Sequence, residues 1–456
     1  MKEEFIDTVV LGAGLTGLTT AYYLNKQNCR FRAIDKNDRA GGVIHTHSEN
    51  GFIYETGPNT GVIGNTAVVG LFDELADMCE LEIGNEKAKK RYILKNGKWE
   101  HLPLGLIDAV KCRLFTTKDK LRLLTEPFRA KGNDPDENLS SFVRRRLGES
   151  FLKYAIDPFI LGVYAGDTDY IIPRYALPKL YNLEQQYGSL IKGAIRKKFE
   201  KKNDMEKRVS KKVFSFYNGM SSLINALYQK AGKENFIFSA GNVKVEKTEK
   251  GYTIQYSDTG GNLYKINAKN IISTLGAYEL ESVFPFINRE QIDKVKNLKY
   301  AQVIEVSVGF TKWEGMKLDG FGGLIPSVEK RKILGILFMS SLFKNRAPEN
   351  GALLTIFLGG TKNTGILELD DNEIVKIVES ECSSLLGIKS FNPDLLRVIR
   401  HRNAIPQYGT DSKNRFEAVE AIENEHEGLK IAGNLRNGIG MADRIKQAYK
   451  LAQLFV

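Results

Sequence analysis

The chain has 456 residues, of which 42% are hydrophobic and 27% charged, and a formal net charge of +11 at pH 7. This length exceeds what one hydrophobic core normally serves, so we expect two or three domains. The positive charge favours an acidic partner: phosphate, a carboxylate, nucleic acid or an anionic membrane. Four scattered cysteines without a CxxC motif indicate neither a zinc site nor a disulfide framework. No stretch is apolar enough to predict a membrane-spanning helix.

The first predicted elements are a buried strand over Phe5–Leu11, the glycine-rich sequence GAGLTG and a helix over Leu18–Leu24. This order fits the G-x-G-x-x-G pattern of a Rossmann-type dinucleotide site. The first glycine makes the tight turn, the second lets a pyrophosphate approach the backbone, and the third lets helix and strand pack closely. The helix N-terminus also offers N–H groups to phosphate. The cofactor-binding residues predicted here are Gly12, Gly14, Leu15, Thr16 and Gly17.

A second strand, Phe31–Ile34, ends at Asp35, where a carboxylate would meet an adenosine ribose. Two adjacent glycines then let the backbone run tightly beside a dinucleotide, which a simple nicotinamide dehydrogenase does not need. These residues extend the predicted cofactor site by Asp35, Lys36, Arg39, Gly41 and Gly42.

The pattern RxGG at Arg39–Gly42, followed by G-x-x-x-E-x-G-P at Gly51–Pro58, resembles the flavin-containing amine oxidase superfamily. The sequence GPN resembles its protoporphyrinogen oxidase branch. That superfamily usually has Glu where Asp35 stands and often Arg where Val43 stands, so two positions depart from the pattern. The resemblance implies that FAD also contacts Gly57, Pro58, Asn59 and Thr60.

The resemblance extends over almost the whole chain. Asp157–Asp167 is similar to the family's PFxxGVYAGD, and three later segments are similar to GFGxLxP, LGTLF and TTFVGG. A predicted hairpin around Asn96-Gly97 carries an arginine that the resemblance implies pairs with a substrate propionate. The substrate-binding residues implied are Arg91, Gly162, Gly166, Leu324, Leu337 and Phe357. Judged by the residues alone, the arginine could equally lie on the surface and the apolar residues in a sheet core.

Glycine motifs at both ends of the chain favour FAD over NAD. A strand over Ile271–Gly276 ends near the predicted dinucleotide, and a helix over Met441–Leu454 presents a second helix N-terminus. The resemblance implies a backbone contact between Val243 and adenine. The cofactor-binding residues of these segments are Val243, Thr274, Gly433, Asn434, Gly438, Ile439, Gly440 and Met441. We expect the FAD to be non-covalent.

Residues 104–199 have a helical pattern, and residues 192–212 carry ten Lys or Arg against three acids. A basic run of this kind is often a solvated, mobile linker. Alternatively, it attracts anionic lipid, with Leu190, Ile191, Ile195 and Phe199 as an apolar face. Nucleic acid is disfavoured because no aromatic residues are interleaved. The resemblance implies a membrane-attachment region, so we expect a cytoplasmic protein peripheral on the inner face of the cell membrane.

These patterns predict an α/β fold: a Rossmann-type FAD-binding domain (1–86, 214–284, 417–456), a helical membrane-associated insertion (87–213) and a mixed-sheet α+β substrate domain (285–416). The resemblance implies oxidation of protoporphyrinogen IX to protoporphyrin IX in heme biosynthesis, in three two-electron steps, with molecular oxygen as acceptor. The alternatives are a coproporphyrinogen III oxidase of the same fold, an amine oxidase, and a flavin-binding membrane module without turnover. No catalytic acid or base and no metal is predicted, and a homodimer is left open.

Overall fold

The computed structural model describes residues 3–103, 108 and 111–455. Its strands are β1 Glu3–Leu11, β2 Phe31–Ile34, β3 Thr46–Glu49, β4 Phe52–Glu55, β5 Gly61–Val62, β6 Leu81–Ile83, β7 Lys90–Lys95, β8 Lys98–His101, β9 Val213–Phe216, β10 Phe236–Ile237, β11 Gly241–Thr248, β12 Gly251–Ser257, β13 Leu263–Ser273, β14 Tyr300–Phe310, β15 Gly320–Leu324, β16 Ile333–Phe338, β17 Ala352–Gly359, β18 Leu395–Pro406 and β19 Leu429–Ile431.

The helices are α1 Leu15–Lys26, α2 Thr66–Glu74, α3 Thr117–Leu124, α4 Leu139–Arg146, α5 (Glu149–Phe151, continued by the π-helical segment Leu152–Ile156 and by Asp157–Tyr164), α6 Pro173–Ala176, α7 Pro178–Tyr187, α8 Leu190–Lys198, α9 Asp204–Arg208, α10 Ser221–Lys230, α11 Leu280–Val283, α12 Arg289–Lys296, α13 Met339–Leu342, α14 Asp371–Leu386, α15 Ser412–Glu425 and α16 Met441–Ala452.

The first sheet has the strand order β10-β2-β1-β13-β12-β11, with β19 also paired to β13. Strands β10, β2, β1, β13 and β19 are mutually parallel, and helices pack on both faces. The chain leaves β1 toward β2 on one side, whereas β13 lies on the other. Ligands of such sheets bind beyond the carboxyl ends of the strands at this point of reversal, and the glycine loop lies there.

Strand β13 differs from the prediction. The sequence pattern suggests a hairpin strand ending at Ala268 and a separate buried strand from Ile271, but the structure joins them in one strand. On one side, residues Leu263–Ala268 pair antiparallel with β12. On the other side, Lys265–Ser273 pairs parallel with β1. The long strand therefore carries the β11–β12 hairpin directly on the edge of the parallel sheet.

The second sheet has the order β18-β14-β17-β16-β15-β7-β8. The sequence of residues 301–311 predicts a strand with Ile304, Val306 and Val308 on one side and Val303, Glu305 and Ser307 on the other. The structure confirms this in β14: Ile304, Val306 and Val308 belong to a core that also contains Ile374, Val378 and Cys382 of α14. Residues Val303, Glu305 and Ser307 point to the opposite side. We call this opposite side, on which α14 does not pack, the slot face.

The helical region is held by buried charges that its sequence does not reveal. Arg146 and Glu126, both fully buried, form an ion pair. Glu126 also accepts hydrogen bonds from Ser189 Oγ at 2.5 Å and Leu190 N at 3.0 Å, which fixes the start of α8. Among the described residues, no helix combines the length and apolarity needed to cross a bilayer. The helical pattern predicted from residue 104 onward begins with residues 104–107 and 109–110, which lie outside the described residues.

The first and last long helices of the chain, α1 and α16, pack side by side. The rings of Tyr23 and Tyr449 make an edge-to-face contact at 5.1 Å. Each tyrosine stands nine residues after the N-cap glycine of its helix, Gly14 or Gly440. Because α1 follows β1 and α16 follows β19, which are parallel strands of one sheet, both helices begin at the carboxyl ends of the strands and run parallel.

Candidate active site

The glycine loop has the geometry expected of a pyrophosphate cradle. A Cβ added at Gly17 would lie 1.8 Å from Gly12 O, so no side chain fits between loop and helix. Gly12 has φ +98° and packs against Thr274, whose hydroxyl donates to Leu11 O at 2.9 Å. At Gly14, by contrast, an added Cβ meets no atom within 4 Å. Of these three glycines, only Gly14 therefore leaves space for a ligand.

The predicted ribose ligand, Asp35, is buried and supports the loop. Its Oδ2 accepts from Ala13 N at 2.6 Å, and its Oδ1 accepts from Asn37 N at 2.8 Å. Two neighbouring cations also have protein partners: Lys36 pairs with Glu279, and Arg39 donates to the carbonyls of Ala40, Gly42 and Ile44. Arg39 therefore stiffens the double-glycine turn, which bonds to Ala13 O through Gly41 N at 2.8 Å. Contact of these side chains with a dinucleotide stays a prediction.

The second helix N-terminus is built from the C-terminal glycine segment. Gly440 caps α16 and donates to Asp443 Oδ2 at 3.2 Å. Tyr408 OH donates to Asn434 O at 2.8 Å, which holds the approach to the helix. The first N–H groups of α1 and α16 have no acceptor within their own helix and are available to an anion. Two parallel helix N-termini and the open position at Gly14 fit the pyrophosphate of FAD.

The remaining predicted cofactor residues lie around the same edge. Thr274 buttresses Gly12, and Gly433 N donates to Gln447 Oε1 at 2.9 Å. Val243 is half-buried in β11, beyond the segment in which Ala240 N donates to Asp35 O at 3.0 Å. Their roles toward FAD stay predictions.

The loop that contains Asn59 connects the flavin side to the slot face. Asn59 Nδ2 donates to Gly57 O at 3.0 Å and to Glu305 Oε1 at 2.6 Å. Asn59 Oδ1 accepts from Thr355 Oγ1 at 2.9 Å. His401 Nε2 lies 3.6 Å from Glu305 Oε2, and burial raises the pKa of Glu305. Sequence reasoning missed this network, because the alternation of residues in β14 indicates on which side of the strand Glu305 lies but not which side chains it contacts.

Register brings the predicted substrate-binding side chains together on the slot face. One row across β15, β16, β17 and β14 contains Leu324, Gly335, Phe357 and Glu305, and the next contains Gly322, Leu337, Thr355 and Ser307. Arg91 on β7 is paired with Gly322 and extends the second row. Leu324, Leu337 and Phe357 are half-buried, so this face presents apolar surface beside one cation.

Arg91 itself is exposed, with its guanidinium 5.3 Å from the ring centre of Phe321. Within the part of the chain that the structure describes, it has no ion-pair partner. Two other cations of this sheet are neutralised, Arg397 by Glu49 and Lys90 by Asp319. Arg91 is therefore available to an acidic ligand, with the ring of Phe321 limiting its motion.

Helix α5 supplies the opposite wall. A Cβ added at Gly162 would lie 2.5 Å from Leu324 Cδ2, so the helix approaches the slot face closely there. Gly166 lies elsewhere: its added Cβ would meet Gln407 Oε1 at 2.5 Å, inside the protein. Phe159 lies three residues before Gly162 and four before Val163, so its side chain is a neighbour of both positions on the helix, and Phe159 and Val163 are 39% and 42% exposed. Sequence reasoning missed these two, although the spacings from Phe159 indicated that the positions are neighbours.

Comparisons with known proteins agree with this geometry. The pattern that defines flavin-containing amine oxidoreductases matches residues 15–440. The chain belongs to the flavin-containing amine oxidoreductase family. This oxidoreductase is an FAD-dependent enzyme, in agreement with the glycine loop before α1 and the second helix N-terminus at α16.

Its relatives include mitochondrial protoporphyrinogen oxidase of Nicotiana tabacum, which is 30% identical over 98% of this chain and 94% of the relative. Coproporphyrinogen III oxidase of Bacillus subtilis is 26% identical over 96% of this oxidoreductase and 95% of the relative. A crystal structure from Exiguobacterium, provisionally named a protoporphyrinogen oxidase, has a TM-score of 0.81 at 19% identity and covers 100% of this chain and 99% of its own. The structural likeness shows the shared fold.

Proposed function

We propose that this flavoenzyme oxidises protoporphyrinogen IX to protoporphyrin IX in porphyrin biosynthesis, with molecular oxygen as the final acceptor. The observation that carries the proposal is the slot face, where Leu324, Leu337 and Phe357 lie in neighbouring rows beside Arg91. A flat, apolar macrocycle with acidic groups at one edge matches this arrangement. The names of the tobacco and Bacillus relatives support the substrate class.

The chain's own residues would bind and orient the macrocycle. The leucines and the phenylalanine offer apolar contact and a ring to stack on. The planar guanidinium of Arg91 can hold one propionate through two charge-assisted hydrogen bonds. FAD, when bound, supplies the acceptor for the two electrons removed in each of three steps. The protein thereby fixes the distance between macrocycle and cofactor and excludes side reactions.

Coproporphyrinogen III is the second candidate, supported by the Bacillus relative. It carries four carboxylates, whereas protoporphyrinogen IX carries two. In the described part of the second sheet, Arg91 has no carboxylate partner, whereas Arg397 is paired with Glu49 and Lys95, on the same side of β7, donates to Arg113 O and Leu114 O. One such cation favours the substrate with fewer acids, because unpaired carboxylates near an apolar wall are costly to desolvate.

Turnover of the two porphyrinogens, followed by the rise of porphyrin fluorescence, tests this choice. We expect kcat/KM to be higher for protoporphyrinogen IX. Higher kcat/KM for coproporphyrinogen III would replace the proposal with the second candidate. Absence of both activities in FAD-loaded protein would refute the porphyrinogen assignment and leave an amine oxidase or a flavin module without turnover.

We further propose that the enzyme contacts the cytoplasmic face of an anionic membrane. An exposed apolar patch consists of Leu121, Leu124, Phe128, Ile195 and Phe199. Phe128 and Phe199 are 86% and 79% exposed, and Lys192 Nζ lies 5.6 Å from the ring centre of Phe128. Basic residues of α8 and the following segment surround the patch, and each is worth about 1 kcal/mol near anionic lipid.

This patch differs from the predicted one, because Leu190 is buried and the segment before α4 supplies Phe128 instead. Co-sedimentation with vesicles, with and without anionic lipid, tests the contact. We expect Phe128→Ser/Phe199→Ser to lower binding to anionic vesicles about tenfold or more, since each ring buries large apolar area. Leu263→Ser, at an exposed apolar residue of another region, serves as the control. Equal binding by both variants would refute the contact.

A further inference from the structure

The hydrogen-bonding capacity of Asn59 is almost fully used inside the protein. A side-chain amide has two donors on nitrogen and two acceptor positions on oxygen. Both donors of Asn59 are taken, by Gly57 O and Glu305 Oε1, and Thr355 takes one acceptor position. The capacity that remains is a single acceptor position on Oδ1.

The orientation of this amide is determined by its partners. A backbone carbonyl can only accept, so the atom facing Gly57 O must be the nitrogen. Thr355 Oγ1 could either donate or accept and fixes nothing. Gly57 O alone binds only one of the two amide hydrogens, and Glu305 binds the other at 2.6 Å.

His401 lies beside Glu305, on the side away from Asn59. Its Nε2 lies 3.6 Å from Oε2, the oxygen that does not face the amide. Oε1 is left to accept from Asn59. The residues in contact come from three strands of the second sheet, β14, β17 and β18, so the arrangement depends on the slot face itself.

We propose that Glu305 is a positioning residue that, together with Gly57 O, holds Asn59 as an obligate hydrogen-bond acceptor for a pyrrole N–H of the porphyrinogen. The inference rests on the proposed function and deepens it. Thr355, which bonds Asn59, stands directly across from Leu337 in the row of slot-face residues. The acceptor thus lies at the slot wall, and a porphyrinogen presents N–H donors on all its pyrroles.

Glu305→Leu, Glu305→Gln, Asn59→Ala and the double variant Asn59→Ala/Glu305→Leu test the proposal. Leucine cannot bind the amide, so one N–H group of Asn59 loses its partner and the amide is no longer held on both sides. We expect KM for protoporphyrinogen IX to rise about tenfold in Glu305→Leu and Asn59→Ala. The double variant should show no further rise, because Glu305 acts through Asn59. Glu305→Gln should restore wild-type KM, since its carbonyl oxygen still accepts.

Two further measurements separate this role from a merely structural one. The affinity of apoprotein for FAD, followed by quenching of flavin fluorescence, should stay within about twofold of wild type in Glu305→Leu and Glu305→Gln. Glu381→Leu, which removes a buried carboxylate bound to Arg331 beside the covered face of the same sheet, should leave KM unchanged.

Additive KM effects in the double variant, or failure of Glu305→Gln to restore KM, would overturn the inference. So would a tenfold loss of FAD affinity with unchanged KM, because the acceptor would then serve the cofactor. If Glu305→Leu does not fold, wild-type KM in Asn59→Ala overturns the inference by itself. Absence of porphyrinogen turnover in the wild-type enzyme would instead refute the proposed function.

Discussion

Alanine substitutions at two glycines of one loop should separate FAD binding from folding. In Gly14→Ala the new Cβ meets no protein atom within 4 Å, and φ of −70° suits alanine. Alanine is a poorer N-cap than glycine, but it restricts the unfolded chain, and both effects are about 0.5–1 kcal/mol with opposite signs. We therefore expect the unfolding free energy of the apoprotein to change by less than about 1 kcal/mol.

The affinity for FAD should nevertheless fall steeply in Gly14→Ala. The methyl group occupies the space through which a pyrophosphate reaches the N–H groups of α1. Loss of charge-assisted hydrogen bonds is worth about 1.5–3 kcal/mol, or about 10- to 150-fold in affinity. In Gly17→Ala, by contrast, the Cβ lies 1.8 Å from Gly12 O. That clash should destabilise the apoprotein by about 3 kcal/mol or more.

Urea unfolding of deflavinated protein gives the stability of each variant, and titration with FAD, followed by flavin fluorescence, gives the affinity. The matched pair tests the placement of the cofactor, since only Gly14→Ala should lose FAD while it keeps a stable apo fold. Wild-type FAD affinity in Gly14→Ala would refute the pyrophosphate position. So would a loss of several kcal/mol in its apo stability, because the open space around Gly14 would then not exist.

Three further predictions concern the slot and its surroundings. Arg91→Ala should raise KM for protoporphyrinogen IX about 10- to 150-fold, by loss of a charge-assisted pair, with Arg91→Lys intermediate; steady-state kinetics with an unchanged KM would remove Arg91 from the site. Gly162→Ala should lower kcat/KM about tenfold without loss of FAD, because its Cβ would displace Leu324; unaltered kinetics would show that α5 does not limit the slot. Burial raises the pKa of Glu55 to about 7, so the folded state keeps a proton that the unfolded chain loses near pH 4.5. This contribution to the unfolding free energy is present below pH 4.5 and disappears as pH rises toward 7, a change of about 3 kcal/mol. Urea unfolding at several pH values measures it, and Glu55→Gln should lack this dependence of the unfolding free energy on pH.

Local sequence patterns predicted the helices, strands and turns whose residues interact mainly with residues close to them in the sequence. The strand, glycine loop, helix and second strand follow from periodicity and glycine spacing, and the Asn96-Gly97 turn adopts positive φ at both residues. The sequence pattern predicts a helix over residues 371–386, capped by Asp371 and stopped by Gly387. The structure confirms the end at Gly387, but the N-cap is Asp370. Either aspartate could serve, and the structure selects the one whose carboxylate reaches Glu373 N.

Interactions between distant segments could not be predicted in the same way. Alternation placed Glu305 on one side of β14, but nothing in the sequence indicates that Asn59 and His401 come from 246 residues away and from another strand to meet it. The buried pair of Arg146 and Glu126 is similar, since charged residues in helices are normally solvated. Such contacts depend on sheet order and helix packing, which periodicity does not determine.

The parallel contact of α1 with α16 has a consequence for biosynthesis. Half of the nucleotide cradle is translated at the start of the chain and the other half only after Gly440. A nascent polypeptide on the ribosome therefore exposes the glycine loop without its partner until α16 has been made. Flavin capture should wait for that helix, and a ribosome stalled before α16 should yield a colourless chain.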